Sequence, residues 1–154
     1  MKYKRKKICL ISSSGGHFEQ LLMLKNLDKT FDTYMVTEKT KYNQKSGGLV
    51  FLMQINRQEK AFFLKFIFVC LKSLYIFIVN KPDIIISTGA LSCIPTLIIG
   101  KIFNKKIIYI ESFAKTKSPT KTGKLIYKYA DIFIVQWEDL REVYPKAIYL
   151  GSIY

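Results

Sequence analysis

ICLISSSGGHFEQLLML, residues 8–24, joins a continuous apolar run to a segment with helical spacing through a turn of small residues. A continuous apolar run is typical of a strand that is buried on both faces of a parallel sheet. Gly15 and Gly16 allow a sharp turn and the close approach of a ligand. The helix start that follows presents free N–H groups, which favour an anion such as phosphate. The stretch therefore predicts strand, turn and helix, and either a ligand-binding turn or an ordinary one.

The turn does not match the common nucleotide-binding motifs. It lacks the three spaced glycines of the dinucleotide fingerprint and the Lys-Ser/Thr pair of a P-loop. It contains His17, the only histidine of the chain. A lone histidine is often a packed or capping side chain, but at the mouth of a turn it can contact a substrate and titrate near neutrality. We predict that Ser13, Ser14, Gly15, Gly16 and His17 line a site.

Composition limits the class of protein. The length of 154 residues suits one core, so we predict a single domain over 1–154, and the 49% of hydrophobic residues argues against disorder. The 25 Lys and Arg against 11 Asp and Glu give a formal charge of +14, which implies an anionic partner. Cys9, Cys70 and Cys93 lack the spacing of a zinc or redox motif, so we predict reduced cysteines in a cytosolic protein, with no metal and no cofactor.

Apolar and β-branched runs predict six further strands, at 31–37, 49–55, 83–90, 106–111, 131–135 and 147–150. Helical segments are predicted at 18–24, 58–79, 91–103, 123–129 and 138–144, with loops at 38–48 and 112–122. Strands that alternate with helices form right-handed βαβ units. The fold class is therefore α/β, a Rossmann-like and mostly parallel sheet with helices on both faces.

Ligands of such sheets bind beyond the carboxyl ends of the strands. Ser87, Thr88 and Gly89 end the predicted fourth strand, and Glu111 and Ser112 end the fifth. An acid that ends an apolar strand is an unusual core residue. We predict that Glu111 lies at the same site as His17 and that both are catalytic residues; the alternative for Glu111 is a carboxylate that caps the next loop. By the same positional argument, Ser87, Thr88, Gly89 and Ser112 are predicted to bind the substrate.

Residues 61–79 form an apolar segment nearly long enough to cross a bilayer. A spanning arrangement would place Lys72 inside the hydrocarbon core at a cost of about 2.5–3.5 kcal/mol. It would also separate two strands that must share one sheet. We therefore predict a helix that does not span, and that is either buried or exposes an apolar face to the membrane surface or to a partner. The basic N terminus adds attraction to anionic lipid, and too few apolar residues follow it for a signal peptide.

Several blocks of sequence together resemble a known family. They are Ser13-Ser14-Gly15-Gly16-His17, Ser87-Thr88-Gly89-Ala90, Tyr109-Ile110-Glu111-Ser112-Phe113-Ala114, residues 122–127, residues 130–137, residues 144–147 and Gly151. The chain resembles the bacterial capsule and exopolysaccharide proteins called CpsF or PssD. These are similar to the membrane-anchoring subunit of the eukaryotic transferase that adds the second N-acetylglucosamine to dolichol-diphosphate-GlcNAc. Both resemble the N-terminal half of the GT-B glycosyltransferase that makes lipid II.

The resemblance implies a two-chain glycosyltransferase in which this chain is the GT-B N-terminal-type, acceptor-binding domain. In such an enzyme we expect the turn at 13–17 to face the acceptor diphosphate or the reaction centre. A second polypeptide, similar to a GT-B C-terminal domain, would bind the donor. The complex would transfer a sugar from a UDP-sugar to an undecaprenyl-diphosphate-linked saccharide at the cytoplasmic face of the cell membrane. The alternative is a non-catalytic activator or membrane anchor. A nucleic-acid-binding domain is disfavoured because no recognition helix or RNA-binding motif is present.

Overall fold

The computed structural model describes residues 5–41, 43 and 47–154; the basic residues Lys2 and Lys4, and part of the predicted loop 38–48, lie outside them. The described chain forms one parallel sheet of seven strands in the order β3-β2-β1-β4-β5-β6-β7. The strands are β1 (Lys7–Ser12), β2 (Asp32–Glu38), β3 (Leu49–Leu52), β4 (Ile84–Gly89), β5 (Lys106–Ile110), β6 (Ile132–Val135) and β7 (Ile148–Tyr149). The predicted fold class, a Rossmann-like parallel sheet, is confirmed.

Helices cover both faces of this sheet. They are α1 (Gly16–Leu22), α2 (Phe62–Asn80), α3 (Ile94–Ile102) and α4 (Lys121–Ile126), with 3₁₀ turns at Lys25–Lys29, Leu91–Cys93 and Glu138–Arg141. Successive residues of β1 enter different cores, because side chains alternate across a strand. Cys9 and Ile11 join the core under α2 and α3, whereas Leu10 joins the core that contains Leu21 of α1.

The strand order reverses at β1, which pairs with β2 on one side and β4 on the other. Strands β2 and β3 are added in turn on one side of β1. Helix α2 then returns the chain to the other side of β1, where β4 to β7 are added in turn. A parallel sheet has its ligand crevice where the order reverses, beyond the carboxyl ends of the strands. That crevice lies between the turn after β1 and the end of β4.

Some element boundaries differ from the predicted ones for local reasons. Glu38 belongs to β2 and is buried, so placing it in a loop was wrong. Helix α4 begins at Lys121 rather than at residue 123, because the Thr120 side chain caps it by accepting a hydrogen bond from Gly123 N. The predicted helix 138–144 is a 3₁₀ turn over Glu138–Arg141, and β3 ends at Leu52 rather than at residue 55.

Helix α2 is largely exposed. Its buried residues are Val69, Ser73, Ile76 and Phe77, which form one stripe towards the sheet. Its length and composition would permit it to cross a membrane, and only 22% of its most apolar 18-residue stretch is buried. Of the two predicted alternatives, the structure therefore favours the exposed apolar face over the buried helix.

Candidate functional site

The turn after β1 is fixed against the end of β4. Ser13 N donates to the Gly89 carbonyl at 3.0 Å, and the Thr88 hydroxyl donates to the His17 carbonyl at 2.7 Å. The Ser87 hydroxyl accepts from Gly89 N at 3.1 Å. The predicted residues of the two segments are thus brought together. Ser87 and Thr88 are fully buried, and their hydroxyl groups bond to the backbone of the crevice.

His17 sits at the mouth of this crevice and is partly exposed. Its Nδ1 lies 2.6 Å from the carbonyl oxygen of Thr88. A carbonyl oxygen only accepts, so Nδ1 carries the proton of the neutral ring and Nε2 carries the lone pair. The contact therefore fixes both the orientation of the ring and its tautomer. An imidazole held in this way can accept a proton from a hydroxyl group at Nε2.

Gly89 makes room for the histidine ring. A Cβ at this position would lie 3.0 Å from the Tyr109 hydroxyl oxygen and 3.1 Å from His17 Cε1. Its φ of +101° also lies in the region that favours glycine. Tyr109 is fully buried, and its hydroxyl has no hydrogen-bond partner within the described part of the chain. The end of β4 therefore needs glycine if His17 is to lie against it.

Glu38 is a site residue that sequence reasoning missed. It ends β2 with only 6% of its surface exposed, and its Oε2 accepts from Ser14 N at 3.3 Å and from the Ser14 hydroxyl at 3.1 Å. Both donors of Ser14 are therefore engaged within the protein. Gly15 and Gly16 are exposed, and a Cβ on either would meet open space. The part of the turn that a ligand can reach is thus Gly15, Gly16 and His17.

Glu111 is enclosed by hydrogen-bond donors of the protein itself. Its carboxylate is fully buried. Oε1 accepts from Ser112 N at 2.9 Å and from the Thr120 hydroxyl at 2.8 Å, and Oε2 accepts from Thr120 N at 3.2 Å and from the Tyr144 hydroxyl at 2.8 Å. Burial and the neighbouring Glu111 carboxylate raise the pKa of Tyr144 above its usual range, so its hydroxyl stays a donor.

The carboxylate of Glu111 thus joins the end of β5 to the start of α4. We call this carboxylate and the residues that donate to it, Ser112, Thr120 and Tyr144, the Glu111 cage. A Cβ at Gly123, in the first turn of α4, would overlap Glu111 Oε2. We interpret Glu111 as a positioning residue for the loop 112–120 and α4, which is the loop-capping alternative. Ser112, a predicted binding residue, belongs to the same cage and is buried.

A buried amide pair connects α1 to the ends of β5 and β6. Gln20 Oε1 accepts from Gln136 Nε2 at 2.7 Å and from Phe113 N at 3.1 Å. Gln136 Oε1 accepts from Ile153 N at 3.0 Å, which holds the C-terminal segment against the sheet. These contacts join the helix that carries His17 to the loop that the Glu111 cage positions.

The exposed face of α2 is the second prominent feature. Its large apolar side chains that are about half exposed or more are Phe63, Leu64, Ile67, Phe68, Leu71, Tyr75, Ile78 and Val79. Ile102 and Phe103, at the end of α3, extend this surface. We call these ten residues the α2 apolar face. A contiguous apolar surface of this kind marks an interaction site. As for metals, the described residues contain no group of three His, Cys, Asp or Glu side chains that could hold an ion.

Comparison with protein families gives one match that covers nearly the whole chain. Residues 8–153 match the family described as "Oligosaccharide biosynthesis protein Alg14 like". The match includes the turn, the end of β4, the Glu111 cage and α2. It therefore spans every feature described above.

Curated relatives match over a shorter stretch. The human UDP-N-acetylglucosamine transferase subunit ALG14 is 39% identical over 79 residues, 47% of this chain and 37% of that protein. The subunit alg14 of Schizosaccharomyces pombe is 38% identical over 77 residues, also 47% of this chain and 37% of that protein. The matched part is thus well under half the length of these relatives.

Solved structures share the fold at low sequence identity. MurG of Acinetobacter baumannii superposes with a TM-score of 0.71 at 13% identity, over 87% of this chain and 42% of that one. The UDP-N-acetylglucosamine 2-epimerase of Rickettsia bellii gives 0.73 at 16% identity, over 97% and 45%. The lipopolysaccharide outer core galactosyltransferase WaaB gives 0.62 at 17% identity, over 92% and 43%. The chain thus has the fold of a little under half of each of these proteins.

Proposed function

Because this chain belongs to the family of Alg14-like oligosaccharide biosynthesis proteins, we propose that it is the acceptor-binding, membrane-associated subunit of a two-chain glycosyltransferase. The family match over residues 8–153 carries the proposal. Relatives from human and fission yeast are named as subunits of a UDP-N-acetylglucosamine transferase. The reaction we propose transfers a sugar from a UDP-sugar to an undecaprenyl-diphosphate-linked saccharide, in the capsule or exopolysaccharide synthesis of CpsF- and PssD-type proteins.

His17 is the proposed catalytic residue of this chain. In the transfer, an acceptor hydroxyl attacks the anomeric carbon of the donor sugar, UDP departs, and the hydroxyl proton needs an acceptor. The lone pair on Nε2 is available because Nδ1 faces the Thr88 carbonyl. Gly15 and Gly16 leave open space where the acceptor can approach the backbone. The other predicted residues, Ser13, Ser14, Ser87, Thr88 and Gly89, would shape this opening.

The donor-binding partner would be a chain similar to a GT-B C-terminal domain. One sheet edge supplies one wall of a cleft, whereas transfer needs donor and acceptor held together in near-attack geometry. The C-terminal region, from Trp137 to Tyr154, is the proposed docking surface. Trp137, Tyr149, Leu150 and Tyr154 are exposed there, and aromatic residues are favoured interface anchors.

Membrane attachment is proposed to be peripheral, through the α2 apolar face on the cytoplasmic leaflet. Strands β3 and β4 flank α2 in sequence and belong to the same sheet, so they cannot lie on opposite sides of a bilayer. Apolar side chains beside lysines suit a helix that lies in the interface. Lys65 and Lys72 belong to α2 itself. This arrangement would place the crevice near lipid-linked substrates.

The alternative function is a non-catalytic activator or anchor that recruits the transferase. The closed Glu111 cage favours it, since a carboxylate with four internal donors has no capacity left for a substrate. Under this alternative, no side chain of the chain takes part in proton transfer, and His17 serves only to hold the end of β4.

A reconstituted assay tests the proposal. The purified chain is incubated with a UDP-sugar and a polyprenyl-diphosphate-linked acceptor, with and without the candidate donor-binding partner. We expect transfer only when both chains are present. His17→Ala should reduce the turnover of the pair by about a hundredfold or more, the typical contribution of a general base.

The matched control is Glu19→Ala, which removes an exposed side chain from the same helix. It should leave turnover and stability unchanged, whereas His17→Ala should stay folded and lose about 1 kcal/mol with its hydrogen bond to the Thr88 carbonyl. Robust transfer by this chain alone would overturn the two-chain proposal. Full activity of His17→Ala in the pair would favour the non-catalytic alternative.

A further inference from the structure

A cleft of about 670 Å³ lies between the ends of β2 and β3 and the N-terminal half of α2. It is lined by four lysines, which are Lys39, Lys41, Lys65 and Lys72. Glu59 is the only acid among its lining residues. Its apolar wall includes Phe51, Met53 and Phe68. The cleft therefore combines a cationic rim with an apolar surface.

The positive charge of this cleft is only partly compensated. Glu59 pairs with Lys65. No carboxylate of the described residues lies within salt-bridge distance of Lys39, Lys41 or Lys72. Lysine ammonium groups bind phosphate as point charges, and uncompensated cations around a concave surface concentrate an anion. The expected ligand is therefore a multiply charged phosphate group.

The cleft is continuous with the α2 apolar face. Phe68 and Lys72 line the cleft and lie on the exposed side of α2. Leu64 and Leu71, both more than half exposed, are on the same side of the helix within one turn of Phe68. A ligand with an anionic head and a long hydrocarbon chain would satisfy both surfaces at once. A free phosphate would leave the apolar surface uncovered.

The position of the cleft relates it to the crevice at His17. Lys39 directly follows Glu38, which holds Ser14 of the turn. The cleft and the turn both lie at the carboxyl edge of the sheet, and β3 is separated from β1 only by β2. Two strand spacings amount to about 10 Å. This separation is short enough for a saccharide attached to a headgroup in the cleft to reach the turn at His17.

We propose that this lysine cleft binds the diphosphate headgroup of the lipid-linked acceptor, with its polyprenyl chain on the α2 apolar face. The inference rests on the proposed function and adds the place where the acceptor is held. A diphosphate is favoured over a bilayer phosphodiester, because it carries more negative charge for the three uncompensated lysines. The cleft then fixes the headgroup, and the turn receives the sugar.

Binding to vesicles tests the inference. The probes are a polyprenyl diphosphate in phosphatidylcholine vesicles, phosphatidylglycerol vesicles of matched surface charge, and inorganic pyrophosphate as a competitor. The variant Lys39→Ala/Lys41→Ala/Lys72→Ala should bind the polyprenyl diphosphate vesicles at least about tenfold more weakly, from the loss of three charges near the surface. Its binding to phosphatidylglycerol vesicles should fall no more than that of the control.

The control is Lys121→Ala/Lys124→Ala/Lys128→Ala, which removes the same charge from exposed positions of α4 and the turn after it. Native affinity of the cleft variant for polyprenyl diphosphate would overturn the inference. So would an equal loss on phosphatidylglycerol vesicles, or full displacement of the lipid by equimolar pyrophosphate. The transfer assay with the native pair judges the proposed function separately, since it does not depend on where the headgroup lies.

Discussion

Glu111 and Glu38 show how two acids with the same sequence signal acquire different surroundings. Each ends or directly follows an apolar strand, and each is almost completely buried. Glu111 accepts hydrogen bonds from the loop and from α4, whereas Glu38 accepts from the turn beside His17. Sequence reasoning selected Glu111 for the site and assigned Glu38 to a loop. The difference lies in which distant donors the fold brings to each carboxylate, and no local pattern contains that information.

The cage predicts a large stability cost at Glu111. Glu111→Gln replaces two acceptor oxygens by one and places an amide donor against donors that are already buried, so we expect the free energy of unfolding to fall by about 2–4 kcal/mol. Tyr144→Phe removes one donor to the carboxylate and should cost about 1–3 kcal/mol. Urea denaturation measures both changes, with Tyr149→Phe on the exposed β7 as control.

A different effect of Glu111→Gln on stability and activity would indicate a catalytic role for Glu111. If Glu111→Gln kept native stability while the two-chain transfer activity was lost, the carboxylate would be catalytic rather than positioning. Loss of stability and activity in parallel is the result expected from the cage.

The buried thiol of Cys93 should make the protein less stable at alkaline pH. Burial raises the pKa of its thiol to about 12 from 9.0. Above pH 9 the unfolded chain therefore releases a proton that the folded chain keeps, so stability should fall as pH rises from 9 towards 12 and stay level below 8. Each such group contributes at most about 1.4 kcal/mol per pH unit.

Unfolding midpoints in urea between pH 7 and 11 measure this decline. Cys93→Ala should be less stable at pH 7, because it loses core packing, and should show a shallower decline above pH 9. Cys9 keeps part of the decline in that variant, since burial also raises the pKa of its thiol to about 12. Parallel slopes for the native chain and Cys93→Ala would refute the assignment.

At the scale of single elements, helix α2 carries the membrane proposal. Leu64→Glu/Leu71→Glu replaces two exposed leucines, so the fold should persist while partition onto anionic vesicles falls by about tenfold or more, from lost apolar burial. Sedimentation with vesicles measures the partition, and circular dichroism checks the fold. Leu125→Glu, exposed on α4, is the control. Unchanged partition of the double variant would remove α2 from the membrane contact.

The strands were predictable and the exposure of α2 was not. Buried parallel strands are continuous apolar runs, so β1, β4, β5 and β6 stand out from composition alone. An apolar helix looks the same whether its outer face meets solvent, lipid or protein. Only the packing distinguishes them: Val69 and Ile76 contact the core, while Phe63 and Leu64 have no covering layer in the described structure. The Thr120 cap of α4 likewise depends on the loop conformation around Glu111.

At the scale of the whole molecule, positive charge lies at both ends of α2. The lysine cleft adjoins its N-terminal half. A second cleft beside its C-terminal end is lined by four cations and two acids, which are Arg5, Lys6, Lys7, Lys81, Asp32 and Asp83. A helix with cations at both ends and an apolar side suits an orientation parallel to an anionic surface. The total charge of +14 indicated an anionic partner, and only the fold shows where that charge is placed relative to the apolar face.

The central position of β1 has a consequence for biosynthesis. Strand β1 needs β4 as a partner, and β4 is synthesised well after it: Lys7 N donates to the Asp83 carboxylate, 76 residues later. At roughly 5–20 residues per second, β1 waits several seconds for β4. During that interval α2 emerges with both its inner stripe and its outer face uncovered. The apolar surface of α2 is therefore uncovered on all sides until β4 has paired with β1.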